Sequence, residues 1–422
     1  MTAQLRLDVL IVGGGIMGLW LAHDLHAVGR SFAVLEQNTM GGEQTCHSHV
    51  YLHQGFIYNE VELAARLRSV TAKWLEWLTN REHLVRSHAS YFGFRTGVEF
   101  EQKLALWEHP WLGLQCKLVA VSDWPAALAP GAKRSSGVKI LVSTPEQSLD
   151  GHLLVKELAG EFPESIFRID SVHRIKVTPS GVDLAAHHTR HGELRFHSRF
   201  LVLAAGAGNL RLLTAFFPDQ FVGRPSPQQI RKAHMMVISG AEDDLPPLNG
   251  VFGSFGGLFM VSRELGGQNV WLVSDYRNLV AGQSGGAASG CEPWQCAVLE
   301  YLHELAPAVM GRASRFRWGI YEAPKAEGAA AGKLPDEERI LSVGQKVWAV
   351  WPTKLTPAPK ASAALLRHMN FTAGHAPEPG PPMSAPGERP DAAPERWSLT
   401  PLGGWEEFRG GPPELKGVSH VC

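Results

Sequence analysis

The stretch LIVGGGIMGLWLAHDL, Leu10 to Leu25, decides the fold. Its first residues complete an apolar run that reads as a buried strand stopped by glycine. The residues after the glycines have helical spacing, with Ile16, Leu19, Ala22 and Leu25 on one side and Gly29 as the stop. Between strand and helix stands Gly13-x-Gly15-x-x-Gly18. Gly13 permits the tight turn, Gly15 removes a β-carbon where a pyrophosphate must approach, and Gly18 lets helix and strand pack closely. The helix N-terminus, opened by Ile16 and Met17, turns free N–H groups and a positive dipole end toward phosphate. A second strand, SFAVLEQ, ends in Glu36 and Gln37, with the acid 18 residues beyond Gly18 and able to accept from a ribose hydroxyl. Strand, turn, helix, strand and acid in this order predict an α/β fold with a Rossmann-type dinucleotide-binding domain.

Composition sets the frame around that motif. Apolar residues make up 44% and charged residues 19% of 422 residues, which is globular usage for two domains or one large one. The formal net charge of −1 offers no basic surplus for nucleic acid. Five cysteines, Cys46, Cys116, Cys291, Cys296 and Cys422, show neither a CxxC pair nor zinc spacing, so a reducing compartment is expected. The opening MTAQLRLDVL lacks the pattern of a secretory signal, and no run of 18 apolar residues predicts a membrane span. The expectation is a cytoplasmic protein.

The glycine turn alone does not choose between nicotinamide and flavin dinucleotides. The segment GGEQTCHSHVYLHQGFIYNEVELAARL, with Gly41-Gly42, Gln44-Thr45-Cys46, His53-x-Gly55 and Tyr58 before an amphipathic helix, resembles the D-amino-acid-oxidase-like flavoproteins. That superfamily includes glycine and sarcosine oxidases and L-2-hydroxyglutarate oxidases. The resemblance implies FAD, with Gln44, Thr45, Cys46 and His47 on a loop crossing the pyrophosphate toward the flavin ring. FLVLAAGAGNL resembles the second flavin-contacting strand, placing Ala204, Ala205 and Gly206 on the cofactor. SIFRIDSVHRIKV resembles a strand pair whose middle, Val172, meets adenine through its backbone. Near the end, VWAVWPTKLTPAPKASAALLRHM supplies a helix, but Pro, Thr and Lys replace the family's glycines. Lys354, Leu355 and Thr356 are expected at the flavin, with Lys354 as a positive charge or the turn on another path.

The flavin domain is expected to be discontinuous, from residues 1–80, 150–210 and 336–370. Residues 81–149 and 211–335 are expected to form an antiparallel-sheet substrate domain over the flavin, with GGLFMVSRELGGQNVWLVSDYRN as a hairpin joined by Gly266-Gly267. EAPKAEGAAAGKLPDEER reads as a solvated loop returning to the flavin domain. Residues 371–422, rich in Pro, Gly and Ala, read as a tail whose aromatic WSLTPLGGWEEF is a possible partner contact.

In this family the flavin carries the chemistry, and the protein holds a C–H bond against N5. His53 is the first candidate to polarise or deprotonate a substrate hydroxyl, against the alternative of a backbone-bonded imidazole under the ring. Tyr58 is a candidate donor to a substrate carboxylate; Arg263 and, on the facing strand, Tyr276 and Arg277 are candidate anchors for it. HSHVYLH lacks acidic or thiol partners at ligand spacing, so no metal is expected. Cys46, His47 and His49 stand where a covalent flavin link is conceivable, yet noncovalent FAD is expected. The leading expectation is an FAD-dependent oxidase or dehydrogenase acting on the CH–NH or CH–OH bond of a small to medium acid. The alternatives are a flavin monooxygenase or tailoring enzyme on a larger substrate, suggested by 13 Trp and the WPTKLTP turn, and a non-catalytic FAD-stabilised assembly factor.

Overall fold

The strand Gln4–Val12 lies in the middle of an eight-stranded sheet, parallel to Phe32–Glu36 on one side and to Gly192–Leu203 on the other. The computed structural model describes residues 4–128, 137–253, 257–275, 293–329 and 337–371. Gly192–Leu203 is shared between two pairings. Its first half joins the antiparallel meander of Ser171–Val177 and Val182–His188, and its last residues run parallel to Val347–Trp351. SIFRIDSVHRIKV is thus not a strand pair: Ile166–Arg168 extends the edge beside Phe32–Glu36, whereas Ser171–Val177 ends the meander. The two short strands point to different hydrogen-bonding edges, a separation that local sequence does not encode.

The helix Ile16–Ala27 is buried nearly all round rather than on one side. Trp20, Leu21 and Met17 are as covered as Leu19 and Leu25, because the helices Gly151–Gly160 and Ala358–His368 and the tryptophans of Val61–Leu78 close over it. A helix apolar on every face belongs inside a core. Trp20 meets Trp74 at 4.1 Å between ring centroids and Trp77 at 5.7 Å.

The second sheet also has eight strands, in the order 317–328, 228–240, 268–275, 258–265, 250–252, 90–94, 140–144 and 117–118. It draws on segments before and after the nucleotide sheet's meander. It is mixed rather than purely antiparallel, since Gly250–Phe252 pairs in parallel with Ser90–Phe94. The expected hairpin is present as Leu258–Leu265 and Gln268–Asp275, and Gly266 and Gly267 both take positive φ at its turn. Trp271, Met260 and Val298 belong to the core on one face of this sheet; Phe259, Val261 and Leu272 belong to the core on the other. The region read as a solvated loop from Glu322 is instead strand as far as Gly328, paired along its length with Gln228–Gly240. Charged residues hide this strand in the sequence, but Glu327, 1% exposed, is ion-paired to Arg231 at 2.6 Å. Tyr276, Arg277 and residues 372–422 lie outside the described residues. No described helix is long and apolar enough to cross a membrane.

Candidate active site

A cavity of about 1030 Å³ runs from the glycine turn to the second sheet. At its nucleotide end Gly13 has φ +118°, and a β-carbon there would stand 2.4 Å from the Ala204 carbonyl oxygen. A β-carbon on Gly18 would stand 2.0 Å from the Gly13 oxygen, so Gly18 lies behind the cavity and serves packing. Gly15 differs: its β-carbon would meet nothing nearer than Thr45 Oγ1 at 3.4 Å, and the residue faces the cavity. No side chain caps the helix from Gly15, while Thr45 Oγ1 accepts the Ile16 N–H at 3.0 Å. Glu36 accepts from Gly14 N at 2.7 Å and Asn38 N at 2.8 Å, and burial raises its pKa. Both oxygens keep lone pairs for a ribose.

Ile16, Met17, Gln37 and Val172 line the same end, as do Ala204, Ala205 and Gly206 at the close of the Gly192–Leu203 strand. Gln44 and Thr45 also face in, and Gln44 Oε1 accepts from Ala326 N at 3.0 Å, tying the crossing loop to the second sheet. Cys46 and His47, expected at the cofactor, do not line the cavity. Cys46 turns into the apolar core with its thiol pushed up to about 11 by burial, which makes it a poor nucleophile. His47 packs beside Tyr321, which donates to its carbonyl at 2.9 Å.

The chain reverses its presentation just after this point. Val50 takes φ +49°, a strained conformation for a β-branched residue, and its carbonyl accepts from Leu149 N at 2.9 Å. Ser48, His49, Val50, Tyr51 and His53 then all line the cavity. Arg263 corrects an expectation. It shares a face with Phe259 but sits four residues further along the strand and is not among the cavity-lining residues; its Nη2 donates instead to Ser48 O at 2.8 Å. A side chain on the right face was therefore too far along it.

The end away from the glycine turn carries the histidines and lysines. His53 is held near a pKa of about 3 by burial, with Lys354 and Lys325 adding to the depression. Its Nδ1 is buried without a partner, and its ring neighbours are Tyr51, Tyr58 and Phe259. His49 also lines the cavity, neutral through burial, with an unpartnered Nε2. Lys354 Nζ lies 4.5 Å from the centre of the Tyr58 ring. Burial lowers Lys325 to about 8, aided by nearby Arg231. Leu355 lines the cavity; Thr356 is fully buried behind it and its hydroxyl accepts the backbone N–H of His53 at 3.1 Å. The turn lacking glycine bends at Thr353, φ +68°, whose Oγ1 donates to Glu337 O at 2.7 Å.

Lys325, Arg231, Tyr51 and Phe259 were missed from the sequence, and His49 was singled out only as a possible site of flavin attachment. The signal for Lys325 was period-two alternation through Tyr321, Ala323 and Lys325. Among the described residues no group of three or more His, Cys, Asp or Glu is arranged to hold a metal. The glycine cradle, the exposed face of Gly15, Glu36 and the small residues 204–206 fit FAD's nucleotide half, and the basic end suits the negative charge of a reduced flavin ring.

The family model described as FAD dependent oxidoreductase matches residues 8–346. A probable FAD-dependent oxidoreductase of Pseudomonas aeruginosa is 25% identical over 374 residues, covering 85% of this chain and 90% of that protein. Its crystal structure aligns with a TM-score of 0.67 at 23% identity over 89% of this chain and 94% of that one. Glycine oxidase from Geobacillus kaustophilus aligns with a TM-score of 0.61 at 17% identity, over 88% and 96% of the two chains. The L-α-glycerophosphate oxidase of Mycoplasma pneumoniae with FAD bound aligns at 0.64 and 14% identity, over 87% and 95%. These structural likenesses are likenesses of fold. With the family model spanning residues 8–346 and the glycine cradle in place, the chain belongs to the DAO family of FAD-dependent oxidoreductases.

Proposed function

We propose that this protein oxidises the CH–NH or CH–OH bond of a small to medium amino or hydroxy acid. One observation carries the reading: a neutral imidazole with an unpartnered buried nitrogen, His53 Nδ1, shares a cavity wall with the amines of Lys325 and Lys354. Bound FAD supplies the two-electron acceptor for the hydride leaving the substrate carbon. Lys325 and Lys354 attract the substrate carboxylate, and Tyr58 borders the same space. His53 accepts the proton of the substrate hydroxyl or ammonium. Its low basicity in the open cavity comes from burial and the two lysines, so an arriving carboxylate offsets their charge and raises it. The glycine oxidase fold neighbour is named for an amino-acid substrate, which agrees with this reading.

The test is anaerobic absorbance of the FAD-loaded protein during addition of D- and L-amino acids, N-methylamino acids and 2-hydroxy acids. Bleaching of the flavin band by one of these classes is the expected result. Bleaching only by NAD(P)H shifts the reading to a monooxygenase, and full FAD occupancy with no reduction by any of them shifts it to a binding or assembly factor.

A further inference from the structure

The residues 53–59 form an arm along the reacting end, contributing His53, Ile57, Tyr58 and Asn59 to its wall. This arm is neither helix nor strand, and most of its backbone bonds go to side chains from elsewhere. Glu146, fully buried between the strands Ile140–Thr144 and Gln147–Leu149, accepts from Gln54 N at 2.7 Å and from Tyr51 Oη at 3.0 Å. The Phe56 N–H turns to the same carboxylate. Lys103, 6% exposed on the helix Gly97–Trp107, donates to the carbonyls of Phe56 at 3.3 Å, Ile57 at 3.2 Å and Tyr58 at 2.9 Å, and to Asn59 Oδ1 at 2.6 Å. Neither charged group lines the cavity.

We infer that Glu146 and Lys103 are positioning residues, a two-sided clamp that holds the 53–59 arm so that His53 and Tyr58 meet the substrate in register. Taking two charges out of water is unfavourable unless each is saturated with partners, and here most of the partners are arm backbone. An apolar pair would fill the space without fixing the arm. Lys103 draws in carbonyls and Glu146 draws in N–H groups, so the two fix the direction of the segment as well as its position. The groups facing Glu146 are the Tyr51 phenol, the Gln54 and Phe56 N–H donors, and the Lys103 ammonium. Burial raises Glu146 to about 7, so the carboxylate side of the clamp weakens as pH falls through neutrality. The functional half of this inference rests on the oxidation proposed above; the clamp itself does not.

The test uses the FAD-loaded protein carrying Lys103→Met, Glu146→Gln or Tyr51→Phe, the last keeping the packing and removing one donor. Three quantities are read: amide hydrogen exchange of residues 54–59, affinity for sulfite, which adds to oxidised flavin at the reacting end, and the anaerobic reduction rate with any acid that reduces the unsubstituted protein. We expect exchange in the arm to rise about tenfold or more in the first two variants, with residues 13–36 unchanged, and sulfite affinity and reduction rate to fall about tenfold. Tyr51→Phe shifts all three in the same direction by less. In the unsubstituted protein, arm protection corrected for intrinsic exchange falls on both sides of neutrality, on the acid side as Glu146 protonates near 7 and on the alkaline side as Lys103, lowered to about 8 by burial, loses its charge; Glu146→Gln removes the acid limb and keeps the alkaline one. A loosened arm with unaltered sulfite affinity and reduction overturns the positioning role, as does a well-protected arm in folded Lys103→Met and Tyr51→Phe proteins. If no acid reduces the unsubstituted protein, the oxidation proposal fails alone, and exchange with sulfite affinity still decides the clamp.

Discussion

The two ends of the cavity are built in opposite ways. At the nucleotide end the chain presents backbone: glycines that admit a ligand, a helix terminus and a strand end of small residues. At the other end it presents side chains, delivered by the 48–59 segment, the second sheet and the turn before the last helix. Backbone sites demand particular residues at particular spacings, whereas side-chain sites demand only that distant elements converge.

That contrast can be broken experimentally. Gly15→Val adds atoms into cavity space and not into protein, so the apoprotein is expected to fold while FAD affinity falls at least about 1,000-fold. Flavin absorbance after ultrafiltration, beside the thermal midpoint of the apoprotein, measures both. A variant that keeps its flavin would show that the turn does not carry the pyrophosphate. At the other end, His53→Ala is expected to retain FAD and to slow anaerobic reduction by about 100-fold to 1,000-fold. Lost flavin instead would make this imidazole part of the cofactor cradle.

Lys325→Met sharpens the electrostatic half of the comparison. With the lysine deprotonating near 8, substrate affinity is expected to fall as pH rises through that value. The variant should show a kcat/KM about 10-fold to 50-fold lower and without that limb. The smallest effect belongs to Cys46→Ser. Its thiol faces the core, so about 1 to 2 kcal/mol of stability is expected to be lost, with reduction unchanged. In both proteins acid precipitation should release all flavin into the supernatant; flavin retained by the unsubstituted pellet but released from Cys46→Ser would contradict the inward thiol.

These differences explain what the sequence made legible. Gly13, Gly15 and Gly18 were readable because each removes a β-carbon that a ligand or the backbone itself would meet. His53 and Tyr58 were reached through family resemblance, while the neutrality of His53 comes first from its burial and then from the charges of Lys354 and Lys325, roughly 300 and 270 residues further on in sequence. Lys325 was hidden because EAPKAEG looks solvated until Arg231 on the neighbouring strand pairs with Glu327. Arg263 shows the opposite error: parity placed it on the correct face, but distance along a strand is not a matter of parity. Nor did the sequence announce Thr353, which adopts a left-handed backbone usually left to glycine and is anchored by its own hydroxyl.

The strand Val347–Trp351 lies between Leu201–Leu203 and the strand Arg339–Ser342 in the nucleotide sheet, and the turn after it brings Lys354 and Leu355 to the cavity. On the ribosome these pieces emerge long after the glycine turn they complete. The half-made chain carries an open edge beside Leu201–Leu203 and a cavity still missing Lys354 and Leu355 from its far wall, so the complete cavity belongs to the finished polypeptide.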